Sequence, residues 1–142
     1  MTTLAFTNLR VLIDEDTHQI YTDLTRGSVD KAEDVPFTKM PDLFIAAACA
    51  GAHFNKYKEI SKKRRDIFVA DAFDSKIHIP ILIALAYKRS KKLEDLSDPK
   101  LILNICQGWA NGGIHIIQDQ VYSGKGLRPL YRLVDFALEK EQ

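Results

Sequence analysis

Residues 41–54 read PDLFIAAACAGAHF, and the organisation of the whole chain turns on this stretch. Pro41 suits a first helical position, where its missing N–H is no loss, and Asp42 sets a carboxylate at the positive end of the helix dipole. From Leu43 onward the segment reads as a helix with almost no polar face. A helix that is apolar on every side must be enclosed by other elements. Its Ala46, Ala47, Ala48, Ala50, Gly51 and Ala52 leave room for neighbouring backbones to come close. The segment is therefore expected at the centre of the molecule.

Towards the C-terminus, Asn55 to Arg65 is polar and basic, and Ile67 to Phe73 is short, apolar and partly β-branched, which fits a strand or a single helical turn equally. Pro80 then opens a second apolar helix, IPILIALAYKRSKK, whose last turn gathers Lys88, Arg89, Lys91 and Lys92 where a helix C-terminus favours cations. Asp98-Pro99 is a cap followed by a first-turn proline. It leads into a helix on which Leu101, Ile102, Ile105, Cys106, Trp109, Ile116 and Ile117 keep helical spacing. Asn111-Gly112-Gly113 interrupts that pattern. Two adjacent glycines cost about 2 kcal/mol against alanines in a helix interior, so they signal a kink, a helix end or a close backbone contact. Gly124 and Gly126 break the chain again, and Leu130, Leu133, Val134, Ala137 and Leu138 form an amphipathic stripe ending at Lys140.

Towards the N-terminus, Leu9 to Ile13 reads as a short strand, Glu15 to Thr25 as a helix with Ile20, Tyr21 and Leu24 on one side, and Arg26 to Lys39 as a loop. The fold expected is mainly α: a compact single-domain bundle of about five helices with one or two short strands. Residues 1–39 supply an acidic segment and loop, and residues 40–140 the helical core. Two strongly apolar helices, 41–54 and 79–87, need more cover than the N-terminal elements obviously provide, so a homodimer is expected.

Composition agrees with one soluble globular domain: 142 residues, 46% hydrophobic and 27% charged. Cys49 and Cys106 lie in apolar runs and read as reduced core thiols of a cytoplasmic protein. Met1 to Arg10 has no basic region followed by an apolar stretch, and the longest apolar run, Leu43 to Ala52, is too short for a bilayer. No membrane association and no cofactor are expected.

Catalytic constellations are scarce. Cys49 and His53, like His115 and Asp119, sit four apart and share a helix face, but two ligands do not make a metal site, and the chain has neither CxxC nor HExxH. Pro41-Asp42 with Asp74-Ser75-Lys76 resembles the PD…(D/E)xK pattern of metal-dependent nucleases. That chemistry needs both acids and the lysine to converge on one ion and its water, whereas Asp42 belongs to a helix start and Asp74 to a turn. Asp98-Pro99-Lys100 repeats the same short pattern with no such context. The glycines match neither a phosphate loop nor a dinucleotide fingerprint. No catalytic and no metal-ligating residues are expected.

Charge is the feature with a physical route to function. The formal net charge is +1, yet residues 56–92 hold eleven bases against four acids, and both flanks are mildly acidic. Lys56, Lys58, Lys62, Lys63, Arg64 and Arg65, with Lys88, Arg89, Lys91 and Lys92, can displace counterions from a nucleic-acid backbone. The alternative is a solvated surface. No recognition helix, zinc finger or aromatic RNA-binding motif is present, so such binding reads backbone and shape more than bases.

Three blocks in order, PDLFIAAACAGAHFNKYKEISKKRRDIFVADAF, IHIPILIALAYKRSKKLEDLSDPKLIL and ICQGWANGGIHIIQDQV, resemble the small proteins that accompany bacterial DNA phosphorothioation (Dnd) and related phage-defence clusters. There a "DLF" opens an Ala/Gly-rich helix, a basic stretch precedes a short aromatic-bearing segment, and a "YANGG" box precedes an Ile/Leu-rich helix. The resemblance spans residues 41–121, with Trp109 in place of the tyrosine and a lysine-heavy basic stretch. It implies a cytosolic accessory protein beside larger ATPase and nuclease subunits, with no catalytic residue to carry over.

Two roles are compatible with these features. One is a DNA-backbone-binding module using the basic residues. The other is an adaptor clasping an SMC-like or helicase-like ATPase, with Trp109, Asn111, Gly112 and Gly113 as partner contact beside Tyr122, Tyr131 and Phe136. Helix packing is the ordinary explanation of that box.

Overall fold

A computed structural model describes residues 5–25, 37 and 39–121. Strand β1, Arg10–Asp14, begins the described structure; a 3-10 turn at Glu15–Thr17 then leads into helix α1, His18–Thr25. The Thr17 hydroxyl donates to the Asp14 carbonyl at 2.9 Å and tightens that turn. Helix α1 buries Ile20, Tyr21 and Leu24, the side expected from spacing.

Helix α2, Met40–His53, carries Pro41 in its first turn and buries Leu43, Phe44, Ala47 and Ala48 completely. It ends where Asn55 takes a left-handed conformation (φ 56°), which asparagine tolerates better than most residues. Cys49 departs from expectation: it is exposed, on the strip of α2 that also carries the exposed Asp42 and His53. Partial burial still pushes its thiol pKa up, and the buried Cys106 thiol is pushed up by desolvation and then by Cys49.

Strand β2, Arg64–Val69, pairs antiparallel with β1 from Arg10 opposite Val69 to Asp14 opposite Arg64. Ile67 is the extra residue of a bulge opposite the Val11/Leu12 step. A 3-10 turn, Ala70–Ala72, comes directly after it, so Ile67 to Phe73 is strand first and turn afterwards. Phe44, Phe68 and Phe73 close the space beneath the sheet with ring centroids 5.2–6.1 Å apart, mostly edge to face.

Helix α3, His78–Ser90, starts two residues before Pro80, because the Asp74 carboxylate accepts the Lys76 and Ile77 N–H groups at 2.8 and 2.7 Å and starts the turn earlier. Pro80 remains in the first turn, where no intrahelical donor is needed. Lys88 and Arg89 close the helix, while Lys91 (φ 60°) and Lys92 lie just beyond it.

Helix α4, Pro99–Val121, is capped by Asp98, whose carboxylate accepts the Lys100 N–H at 3.1 Å. It runs unbroken through Asn111-Gly112-Gly113, so the glycines mark a close contact and neither a kink nor an end. Helices α2 and α4 share the largest interface of the described chain. The Trp109 indole donates to the Leu85 carbonyl at 3.0 Å, and the Cys106 thiol contacts the Leu82 carbonyl at 3.3 Å, tying α4 to α3. Gln107 is buried with its side-chain oxygen 2.9 Å from the Leu12 N–H, which satisfies a donor on the outer edge of β1.

The fold is mainly α with a small sheet, as expected, with four α-helices among the described residues. The loop assigned to Arg26–Lys39 falls almost entirely outside those residues, as does the stripe from Leu130 to Leu138. Most of the apolar surface of α2 is covered by the chain itself. No helix among the described residues is long and apolar enough to cross a membrane.

Two buried side-chain atoms, the Tyr21 hydroxyl and Asn111 Oδ1, find no hydrogen-bond partner among the described residues, and the tyrosine is fully enclosed. Desolvation raises its pKa well above the usual phenol value. An unpaired buried hydroxyl costs about 1–3 kcal/mol, so Tyr21→Phe is expected to match or exceed the wild type by about 1 kcal/mol in urea unfolding. A loss of stability would reveal a partner for that hydroxyl.

Candidate nucleic-acid interface

The glycines of α2 and α4 bring two helices and an extended segment together. A Cβ on Gly51 would strike the Trp109 carbonyl, and one on Gly113 would strike the Ala47 carbonyl, so backbone meets backbone where α2 crosses α4. Residues 55–58 then lie along α4. The Lys56 N–H donates to Gly51 O at 2.7 Å, the Lys58 N–H to Gly108 O at 3.1 Å, and the Lys56 carbonyl rests on Gly112. Gly108 and Gly112 are one turn apart, so they form a continuous groove for this segment.

That groove also seats Tyr57. Its ring fills the space a side chain at position 108 would need and meets Trp109 edge to face, with centroids 5.1 Å apart. The Arg89 guanidinium lies over the Tyr57 ring, 3.6 Å from its centroid, and 5.9 Å from that of Trp109. Burial raises the Tyr57 pKa, partly offset by Arg89. Beside this stack opens a cleft of about 640 Å³ lined by Asn55, Tyr87, Lys88, Arg89, Lys91 and Trp109. Two helix C-termini meet there, so the cations also offset the carbonyl ends of α2 and α3.

All ten cations singled out by the sequence are exposed, and the structure divides them. Lys88, Arg89 and Lys91 line the cleft, with Lys56 adjacent in the chain to Asn55. Arg65 pairs with Glu15 at 3.4 Å, and the Lys58 ammonium is 4.0 Å from Asp14. Lys63 shares a smaller depression with Glu15, Asp16 and Ser61. Among the described residues, Lys56, Lys62, Lys63, Arg64, Lys88, Lys91 and Lys92 make no ion pair with a carboxylate. Of the ten, Lys58 and Arg65 are thus the two partly neutralised by an acid of β1 or of the turn after it.

The chain matches, over residues 10–141, the family described as DNA sulphur modification system-associated protein 4. It belongs to that family. Searches of curated proteins and of solved structures find no significant match. Within this member of the DNA sulphur modification system-associated family, the WANGG box is interior: Trp109 is 2% and Asn111 3% exposed, Gly113 is buried and Gly112 half-buried. These four residues hold helices and the basic segment together, and Trp109 also lines the cleft. Tyr122, Tyr131 and Phe136 lie outside the described residues.

The two acids of the nuclease-like pattern are nearer than their helix-start and turn settings suggest, because His78 joins them. Its Nε2 is 2.9 Å from Asp42 Oδ1, and the Asp74 backbone N–H donates to its Nδ1 at 2.9 Å. The Asp74 carboxylate, however, is occupied in starting α3. Among the described residues no group of three His, Cys, Asp or Glu is placed to hold a metal ion.

Sequence reasoning missed Tyr87, Asn55 and the Tyr57–Arg89 stack. The Gly108/Gly112 spacing was the available signal, since two glycines one turn apart advertise a groove; its occupant lies fifty residues away.

Proposed function

We propose that this family member is a non-catalytic accessory protein of a DNA sulphur-modification and phage-defence system that holds the duplex backbone through its central basic surface. The observation that carries this reading is the set of exposed cations that make no ion pair among the described residues, Lys56, Lys62, Lys63, Arg64, Lys88, Lys91 and Lys92. A surface kept for solubility intersperses both signs, whereas phosphate binding needs one sign left unpaired. The helices beneath supply a rigid base, and the protein acts in the cytoplasm beside larger subunits.

With five to six phosphates contacted, log affinity falls against log salt with a slope of about −5. Replacing Lys62, Lys63, Arg64 and Arg65 by Gln is expected to flatten that slope by about 3 to 4, with the circular-dichroism spectrum unchanged. Capture of a protein partner should survive in the variant if the chain also acts as an adaptor through another surface. Absence of duplex binding by the wild-type protein at low salt overturns the reading.

A further inference from the structure

We propose that the cleft between the C-terminal ends of α2 and α3 receives a single unstacked nucleotide, so that DNA with unpaired nucleotides binds better than fully paired duplex. The inference rests on the backbone-binding reading and specifies what that surface takes.

Size is the first argument. At about 640 Å³ the cleft lies within the range of pockets that enclose one small molecule, roughly 300–1,000 Å³. A paired base has both faces covered by its neighbours and offers such a cleft only its backbone; an unstacked nucleotide offers a free face and a mobile phosphate together.

The lining supplies a group for each part. Tyr87, 42% exposed, presents an aromatic ring at the rim, and stacking on such a ring is available to any base. Arg89 is already held on Tyr57, so its planar donors are ordered before a phosphate arrives. Lys88 and Lys91 add two ammonium groups, and Asn55 an amide able to donate and accept at a base edge.

A free nucleotide would use the cleft alone. Lys56, next to Asn55, and the exposed run Lys62, Lys63 and Arg64 lie outside the cleft lining, so on the backbone-binding reading they are left for the flanking phosphates of a continuous strand. The ligand is therefore a DNA strand.

The test uses the full chain at low salt, with labelled duplex, the same duplex carrying a short central gap, oligo-dT and free dTMP. Trp109 is the sole tryptophan and lies at the cleft, so its emission reports occupancy independently of anisotropy. Gapped duplex and oligo-dT should bind about tenfold tighter than paired duplex, and they alone should change Trp109 emission. Tyr87→Ala should remove the preference and leave paired-duplex affinity within about twofold, whereas Tyr87→Phe retains the preference. Equal affinity for gapped and paired duplex overturns this inference and leaves the backbone reading standing. Binding of dTMP as tight as that of oligo-dT overturns the strand as ligand. Failure to bind any of the DNAs overturns both proposals.

Discussion

Gly113→Ala is expected to lower the stability of the protein by about 3 kcal/mol or more, enough to leave a substantial unfolded population in a domain of ordinary stability. The added methyl would meet the Ala47 carbonyl oxygen and the Gly51 nitrogen, which are backbone atoms of helix α2. No rotamer change relieves such a clash. Helices α2 and α4 would have to separate, and the buried residues that they bring to the core would lose contacts. Gly51→Ala should act in the same way, since its methyl meets the Trp109 carbonyl. Gly108→Ala is the control. Its nearest contacts are the far end of the Tyr57 side chain, which can swing aside, so it should cost about 1 kcal/mol and release Arg89 from its platform. Urea unfolding of the three variants checks the order; a Gly113→Ala midpoint equal to that of the wild type would contradict the close crossing of α2 and α4.

The same glycines show how far the sequence could be read. Two adjacent glycines within a helical pattern announce an anomaly, but choosing among kink, end and close contact requires the approaching segment, and Ala47 and Lys56 stand more than fifty residues earlier. Local punctuation was legible wherever it was self-contained: Pro41 and Asp42 at the start of α2, and Asp98-Pro99 at the start of α4, act within a single turn. Where a strand needs a distant mate, local reading stalls. Ile67 to Phe73 has too few residues to show a period, and only pairing with Arg10–Asp14 makes its first half a strand. Cys49 belongs to a segment whose composition indicates cover on every side, whereas the structure leaves open the strip that carries Asp42, Cys49 and His53.

The basic stretch was legible as composition and illegible as geometry. Nothing in KEISKKRRD indicates that Arg65 faces Glu15 or that Lys58 approaches Asp14, because those acids arrive on β1 and the turn after it. Nor does spacing show that Arg89, near the end of α3, returns to stack on Tyr57. The interface is therefore a product of tertiary folding around the glycine groove, and its cations cannot be ranked by position in the chain.

Asp14→Ala is expected to destabilise the protein by about 2–4 kcal/mol and, in addition, to weaken DNA binding without removing a single cation. Asp14 is 3% exposed at the end of β1. Its Oδ1 accepts the Ser61 N–H at 2.7 Å, and its Oδ2 accepts from Asn111 Nδ2 at 3.1 Å. The same Asn111 amide lies 3.0 and 3.2 Å from the Lys58 and Glu59 carbonyls, so one buried pair fixes the path of residues 58–61 across α4. Removing the carboxylate strands the Ser61 N–H and part of the Asn111 amide, and each orphaned donor costs about 1–3 kcal/mol when water cannot replace the lost partner. Residues 58–61 lead directly into Lys62, Lys63 and Arg64, so freeing the segment disperses their charges and adds an ordering cost to every phosphate contact. Asn111→Ala should share that consequence, and the double variant should fall short of the sum of the single losses by about 1–2 kcal/mol, because both variants break one network. Salt titration separates the two effects: a lower affinity with an unchanged log–log slope means the cations still meet phosphate from a less ordered segment, whereas a flattened slope would mean that contacts themselves were lost.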